Sequence, residues 1–240
     1  MRTTALALFC FVGVALCGLP ALAAPPVIHT HTVRRDFPAL RYDVDLQYPQ
    51  CAGQTGFNRV MARVIRIRLA QYQHYQRQDV LDKVERLGAP TKGYLSIVYS
   101  VYFASPTLLS IGFSEETFPA VGAAHPNHQT YSVNYDLAAD KPLRLSDVLR
   151  GTVALQAVSA YRVARLLETE DADPEWIRRG AGPQMKNYRS WNFSPQGLVI
   201  NFDRYQVASY AAGPQQVVIP FATLRHTLRP GLTAHYHFTH

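Results

Sequence analysis

The sequence predicts an α+β fold with a mostly antiparallel sheet packed with two main helical segments. Runs of alternating polar and apolar residues recur along the chain, two segments carry apolar residues at helical spacing, and no regular β-α-β alternation is present. The chain has 240 residues, of which 48% are hydrophobic and 17% charged. This composition is typical of globular proteins and excludes collagen-like, coiled-coil and low-complexity architectures.

The first elements are two strands and a helix. Residues 27–37 and 40–46 are strand-like, and apolar and charged residues alternate through the second run, as in a half-buried strand that ends by Pro49. Apolar residues at three- and four-residue steps over 57–69 then predict an amphipathic helix. Its opposite face is either solvated or able to meet phosphate or carboxylate groups, and it carries Arg59, Arg63 and Arg66.

Helical spacing resumes at residues 80–87, so one long helix or two consecutive helices are predicted. A hairpin follows over 93–118, with its turn at Ser105-Pro106-Thr107. Another strand is predicted over 129–137, where Tyr, Val and Tyr alternate with Ser, Asn and Asp.

The C-terminal half contains a second helix and a return to strands. Ser146-Asp147 is a typical helix start, residues 153–170 carry the second helical pattern, and the acidic stretch before Pro174 is predicted to be an exposed connection. Strands are predicted over 191–193, 198–202 and 216–219. The sequence contains no internal repeat and no long flexible linker.

The N-terminus predicts export. Arg2 precedes an apolar run of about 15 residues and the small-residue site Ala21-Leu22-Ala23, whereas a bilayer span needs about 20 apolar residues. Residues 1–23 are therefore expected to be a cleaved signal peptide. The mature chain, residues 24–240, would be periplasmic or secreted, with no integral membrane segment.

Cleavage would leave Cys51 as the one cysteine of the mature chain, so no intramolecular disulfide is expected. A nucleophile and a dimer bridge are alternatives for Cys51, but a buried thiol is favoured.

The charge of the chain favours anionic partners. Lys and Arg number 24 against 17 Asp and Glu, a formal net charge of +7 that becomes +6 without Arg2.

No hydrolase elbow, zinc-protease motif, phosphate-binding loop or paired-cysteine metal spacing is present. Glu115 and Glu116 are adjacent on a predicted strand, so their side chains point to opposite faces, and surface or edge positions are expected for them. A nucleic-acid partner is not expected outside the cytoplasm.

Two histidine groups are candidate sites. His125 and His128 lie in a predicted loop, but zinc needs about four ligands and no third protein ligand is evident. The terminal group His235, His237 and His240 lies at a chain end, where exposure is the ordinary outcome. We therefore predict neither a metal nor another cofactor, and no catalytic residue.

Several short motifs are distributed over nearly all of the expected mature chain. They are Tyr48-Pro49, Asn58, the 122–127 loop, Asn134-Tyr135-Asp136-Leu137, Leu143-x-Leu145-x-Asp147, Phe193-Ser194-x-x-Gly197-Leu198, Phe202, Tyr205, Tyr210-Ala211-Ala212-Gly213-Pro214 and Val217-x-Ile219-Pro220-Phe221. Taken together, these motifs resemble the extracytoplasmic RsiV-like domain of unknown function. Similar modules accompany the peptidoglycan deacetylase PdaC, and a secreted mycobacterial antigen looks related. The resemblance implies one α+β domain built from an N-terminal segment (about 27–130) and a C-terminal segment (about 131–228).

In RsiV this module binds lysozyme, so the resemblance implies a non-enzymatic binding module for an envelope component or a wall-degrading enzyme such as lysozyme. A basic lysozyme would require a local acidic patch, for which Asp171 with Asp173 or Glu115 with Glu116 are candidates. Anionic envelope glycan or lipid fits the net charge better. The alternative function is a hydrolase or metal-dependent enzyme centred on His125 and His128.

The predicted partner-binding surface combines two polar, aromatic loops between strands. Ring faces offer apolar contact, while amide and imidazole groups offer hydrogen bonds. Its residues are His125, Asn127, His128, Tyr205 and Tyr210.

Overall fold

The computed structural model describes residues 24–87, 92–169 and 172–238, so the predicted signal peptide lies outside the described residues. Within these ranges the chain forms a six-stranded sheet and a three-stranded sheet, with helices packed on both. The predicted α+β class with a mostly antiparallel sheet is confirmed. None of the described helices is both long enough and apolar enough to cross a membrane.

The six-stranded sheet follows chain order, and all its neighbouring strands are antiparallel except β2 and β3, which are parallel. A helix connects these two strands and returns the chain to the same end of the sheet, as parallel pairing requires. The strands are β1 (Ile28–Phe37), β2 (Tyr42–Cys51), β3 (Gly93–Ala104), β4 (Leu108–Phe118), β5 (Asn127–Asp136) and β6 (Lys141–Leu143).

Strand β2 is longer than the alternation predicted. It continues through Pro49 to Cys51, where it pairs with β1. The other neighbour, β3, pairs with β2 only over Tyr42–Leu46. Beyond Leu46 the strand has one neighbour, and proline is tolerated there. Cys51 is buried, and burial raises the pKa of its thiol, which disfavours a reactive thiolate.

Helix α1 (Thr55–Tyr75) packs on one face of this sheet through Phe57, Met61, Ile65 and Tyr72. A π-helical turn (Gln76–Val80) connects it without a break to α2 (Leu81–Leu87), so the two predicted helical stretches are consecutive. Arg59, Arg63 and Arg66 lie on the exposed face of α1, as the spacing predicted.

The remainder of the chain surrounds the smaller sheet. Its strands are antiparallel, and its buried residues form a second core. Its elements are α3 (Leu145–Val148), α4 (Gly151–Thr169), α5 (Pro174–Ala181), β7 (Ser190–Ser194), β8 (Gly197–Phe202), β9 (Gln215–Pro220), α6 (Phe221–Leu224) and α7 (Leu232–His235).

The sequence predicts an exposed connection before Pro174 and no helix after it, whereas the structure has helix α5 beginning at Pro174. Pro174 instead occupies the first turn of the helix, where its missing N–H has no intrahelical partner to lose. The Asp173 carboxylate accepts a hydrogen bond from the backbone N–H of Glu175 at 2.9 Å and caps the helix.

The two sheets meet through the polar positions of β5. Its apolar positions, Tyr131, Val133 and Tyr135, belong to the core beneath α1. On the polar positions, the Ser132 hydroxyl accepts a hydrogen bond from the Trp191 backbone N–H, and the Asn134 amide donates to the Trp191 carbonyl, both at 2.8 Å. The polar face of this strand is thus covered by the second sheet.

Candidate functional site

The predicted site residues come from the two sheets and meet at their junction. The loop between β4 and β5 supplies His125, and β5 begins with Asn127 and His128. The loop between β8 and β9 supplies Tyr205 and Tyr210. These two loops are about 80 residues apart in sequence, yet the Tyr210 hydroxyl donates a hydrogen bond to the Pro126 carbonyl at 3.0 Å.

A stacked pair of rings forms the centre of the site. The rings of His125 and Tyr210 are parallel to within 26°, with 3.8 Å between their centroids. The Arg204 guanidinium lies 4.3 Å from the centroid of the Tyr210 ring, at cation–π distance. Arg204 also donates to the Tyr210 carbonyl at 3.3 Å. Tyr210 is therefore held by contacts to both loops.

The Tyr205 ring is exposed, with 54% of the residue's surface accessible. Its centroid lies 5.6 Å from that of Tyr210 and 6.4 Å from that of His125. The backbone of Tyr205 is left-handed (φ 64°), a conformation that is uncommon for a tyrosine. Its carbonyl accepts a hydrogen bond from the Trp176 indole N–H at 2.9 Å, which fixes the backbone from which the ring projects.

His128 is tied to a carboxylate and is separate from the ring stack. Its Nε2 lies 2.6 Å from the Glu116 carboxylate, which also accepts a hydrogen bond from the Tyr94 hydroxyl. That hydrogen bond and burial together raise the pKa of Tyr94 to about 12, with burial the larger cause.

Glu115 and Glu116 point to opposite faces of β4, as predicted, but the expected surface position of Glu115 is wrong. Glu115 is 5% exposed and forms an ion pair with Arg68 at 2.5 Å, so the two glutamates do not form an exposed acidic patch. Of the other candidate patch, Asp173 is exposed and caps α5, while Asp171 lies outside the described residues, so this pair stays a prediction.

Two grooves flank this centre and share Asn127 and Gln129. The first, here called the Arg68 groove, encloses about 560 Å³, and His125 and Tyr75 are among its lining residues. The second, the Arg204 groove, encloses about 480 Å³ and is lined in part by Lys186, Arg189, Arg204, His128 and Tyr205.

Cations outnumber carboxylates in the Arg204 groove. Its carboxylate, Asp203, accepts two hydrogen bonds from Thr130, at 2.5 Å from the backbone N–H and 2.8 Å from the hydroxyl. Arg189 approaches Asp203 only to 3.9 Å, and the buried Nε of Arg204 has no hydrogen-bond partner. The groove therefore favours an anionic ligand.

The histidines do not converge as a metal-ligand set. His125 lines the Arg68 groove and His128 the Arg204 groove. Across residues 24–87, 92–169 and 172–238, no cluster of three or more His, Cys, Asp or Glu side chains could hold a metal ion. Of the terminal histidines, His235 has its Nε2 3.7 Å from Oδ2 of Asp136, while His240 lies outside the described residues.

Sequence reasoning missed the cations of the site. Arg204 adjoins the predicted loop and was detectable from its position beside Tyr205. Lys186 and Arg189 lie in a different segment, and Arg68 lies on α1, so only the fold brings them to the loops.

Comparisons with known proteins support the predicted resemblance. Residues 145–222 match the model of a protein family of unknown function, DUF3298. Over 165 residues the chain is 23% identical to the peptidoglycan-N-acetylmuramic acid deacetylase PdaC of Bacillus subtilis (strain 168). That match covers 68% of this chain but 35% of PdaC, so the chain spans about a third of that relative.

Two crystal structures share the fold. A DUF3298 family member from Bacteroides fragilis NCTC 9343 superposes with a TM-score of 0.62 at 16% identity, covering 89% of this chain and 99% of that one. A DUF3298 family protein from Pseudomonas aeruginosa PAO1 gives a TM-score of 0.56 at 16% identity, covering 88% and 96%. The chain is thus similar to a PdaC-type module of unknown function.

Proposed function

We propose that the protein is an exported, non-enzymatic binding module that recognises an anionic glycan of the cell envelope. The observation that carries this proposal is the His125–Tyr210 stack with the exposed Tyr205 beside it, at the meeting point of two grooves. We assign Asn127 and His128 to the same surface as hydrogen-bonding groups.

The aromatic geometry suits a sugar ring. Sugars present apolar C–H faces that pack against aromatic rings, and their hydroxyls need hydrogen-bond partners at the edges of the contact. Tyr205 offers an accessible ring on a fixed backbone. Asn127 lines both grooves and can offer an amide to hydroxyl or acetamido groups.

The charge suits a ligand with carboxylates. Lys186, Arg189 and Arg204 line one groove, and the expected mature chain carries a formal net charge of +6. The same charge would repel a basic lysozyme at long range, and Glu115, which one of the two candidate acidic patches needs, is buried in its ion pair with Arg68.

The relative supplies the ligand class to test. PdaC acts, by its name, on the N-acetylmuramic acid of peptidoglycan, and a carboxylic acid of this kind is anionic at neutral pH. We therefore propose that peptidoglycan is the ligand. It would contact the ring stack and the two grooves and leave the site chemically unchanged.

Co-sedimentation with insoluble peptidoglycan tests this function. The wild type should sediment with the glycan, and Tyr205→Ala should weaken binding by about 5- to 30-fold, the range for an interface anchor. Alanine keeps the Cβ at this left-handed position, so the fold should be unaffected. His125→Ala and Tyr210→Ala should also weaken binding, whereas Val153→Ala, an exposed apolar position on α4, serves as the control.

The outcomes separate the alternatives. Wild-type protein that ignores peptidoglycan but captures lysozyme would overturn the glycan proposal. Glycan or ester cleavage that needs added metal and disappears in His125→Ala and His128→Ala would instead support a metal-dependent hydrolase. A structural role for Tyr210 would lower the melting temperature and reduce binding only in proportion to the unfolded fraction.

A further inference from the structure

A row of arginines on α1 lies outside the candidate site. Arg59, Arg63 and Arg66 are all exposed and follow one another at steps of four and three residues. This spacing places them on one face of the helix, within about 10 Å along its axis. None of the three lines the Arg68 groove or the Arg204 groove.

The helix does not neutralise this charge. Thr55 to Gln78 contains no Asp or Glu, and the three arginines make no ion pair with any carboxylate in the part of the chain that the structure describes. Like charges three and four residues apart destabilise a helix slightly. Packing of the opposite face of α1 therefore has to offset this repulsion.

The shape of the arginine-bearing face of α1 indicates what kind of surface it can bind. Phe57, Met61 and Ile65 bury the opposite side of α1 against the sheet, so the arginines form a ridge that points outward. A straight ridge lets all three guanidinium groups reach a planar surface at the same time. Ile67 is 44% exposed beside the row and offers an apolar side chain to such a surface.

We propose that the arginine row of α1 docks the protein on the surface of an anionic phospholipid bilayer. Phosphate headgroups would pair with Arg59, Arg63 and Arg66, and Ile67 would enter the headgroup boundary. A bilayer is favoured over a soluble polyanion because the face combines cations with an exposed aliphatic side chain on an outward ridge. The inference uses a different surface from the glycan site and does not rest on that proposal.

Vesicle co-sedimentation tests the docking surface. The full chain from Ala24 should bind vesicles of phosphatidylcholine and phosphatidylglycerol, and pure phosphatidylcholine vesicles should bind far less. Replacing the row by Arg59→Glu, Arg63→Glu and Arg66→Glu together should weaken binding by about 100-fold or more. Added salt should weaken the wild-type interaction in the same direction.

A matched control separates the row from overall charge. Three other exposed arginines lie in the part of the chain that surrounds the smaller sheet, namely Arg150, Arg179 and Arg225. Their combined replacement by Glu changes the net charge by the same amount. This control should bind within about threefold of wild type. Equal losses in both triple variants would overturn the proposal, because net charge alone would then explain binding.

The apolar contribution distinguishes a bilayer from a polyanion. Ile67→Gln should reduce vesicle binding several-fold and leave binding to dextran sulfate unchanged. Wild-type protein that binds dextran sulfate but not anionic vesicles would contradict the bilayer assignment. If the Glu variants lose helical circular dichroism, the corresponding Gln variants replace them, and unchanged vesicle binding in those would also overturn the proposal.

Discussion

Arg162, on helix α4, is a charged residue buried beside the core around the smaller sheet. Its side chain has no exposed surface, and its guanidinium carbon lies 3.8 Å from the ring centroid of Tyr188 and 5.0 Å from that of Phe202. One nitrogen donates to the Ala181 carbonyl at 3.0 Å, but Nε and Nη1 have no partner. Burial lowers the pKa of Arg162 to about 10, so the group is still a buried cation at neutral pH.

Replacing this cation by an apolar side chain of similar length should stabilise the protein. Arg162→Met removes two unsatisfied donors, and the Ala181 carbonyl keeps its hydrogen bond from the Ser159 hydroxyl at 2.8 Å. We expect the free energy of unfolding to rise by about 1–3 kcal/mol. Arg162→Ala should lower it by about 2–5 kcal/mol because it leaves a cavity. Urea unfolding measures both, and a destabilised Met variant would show that the ring and carbonyl contacts outweigh desolvation.

Strand β5 shows which features the alternation of polar and apolar residues predicts and which it does not. The pattern correctly predicted this strand and the alternation that places Tyr131, Val133 and Tyr135 on one of its faces. It did not predict that Asn134 and Ser132 would be covered by β7, because polarity alone does not distinguish a solvated face from a hydrogen-bonded interface. The covering strand lies more than 50 residues further along the chain, beyond the range of local periodicity.

The same distinction applies to the site. The rings of His125, Tyr205 and Tyr210 lie in one cluster, because aromatic and polar residues between strands are free to converge, and their role in binding stays a prediction. Lys186 and Arg189 were missed because isolated exposed cations have no periodic signal. Helix α5 was missed because Pro174 is compatible with a helix start and with a loop.

Ser110 on β4 tests the junction between the sheets. It is fully buried, and its hydroxyl accepts from the Asn192 amide at 3.0 Å and from the Phe193 backbone N–H at 2.9 Å. Ser110→Ala leaves both donors without this acceptor, so the free energy of unfolding should fall by about 2–4 kcal/mol. Ser146→Ala, at an exposed position on α3, should change it by less than about 0.5 kcal/mol. A neutral Ser110→Ala would contradict the assigned role of this network.

The whole molecule contains many tyrosines with raised pKa values. Burial is the largest cause for each, and it raises the pKa of Tyr94 and of Tyr135 to about 12. The pKa values of Tyr72, Tyr131 and Tyr236 are raised as well. In the unfolded chain a tyrosine titrates near pH 10.

This difference predicts alkaline unfolding. Above about pH 10 the unfolded chain releases tyrosine protons that the folded state retains, so stability falls as the pH rises further. The urea midpoint should therefore be steady at neutral pH and decrease above about pH 10. Tyr131→Phe should reduce the slope, because burial raises the pKa of the Tyr131 hydroxyl, which has no hydrogen-bond partner. A midpoint that does not vary with pH would contradict the prediction.

The most direct test of the glycan proposal is to locate the ligand by nuclear magnetic resonance. Soluble peptidoglycan fragments added to labelled protein should shift the resonances of the His125 imidazole, the Asn127 amide and the Tyr205 and Tyr210 rings. The same fragments should leave Arg59, Arg63 and Arg66 unperturbed. Saturable shifts confined to another surface, or no shifts at fragment concentrations well above those of the protein, would contradict the account.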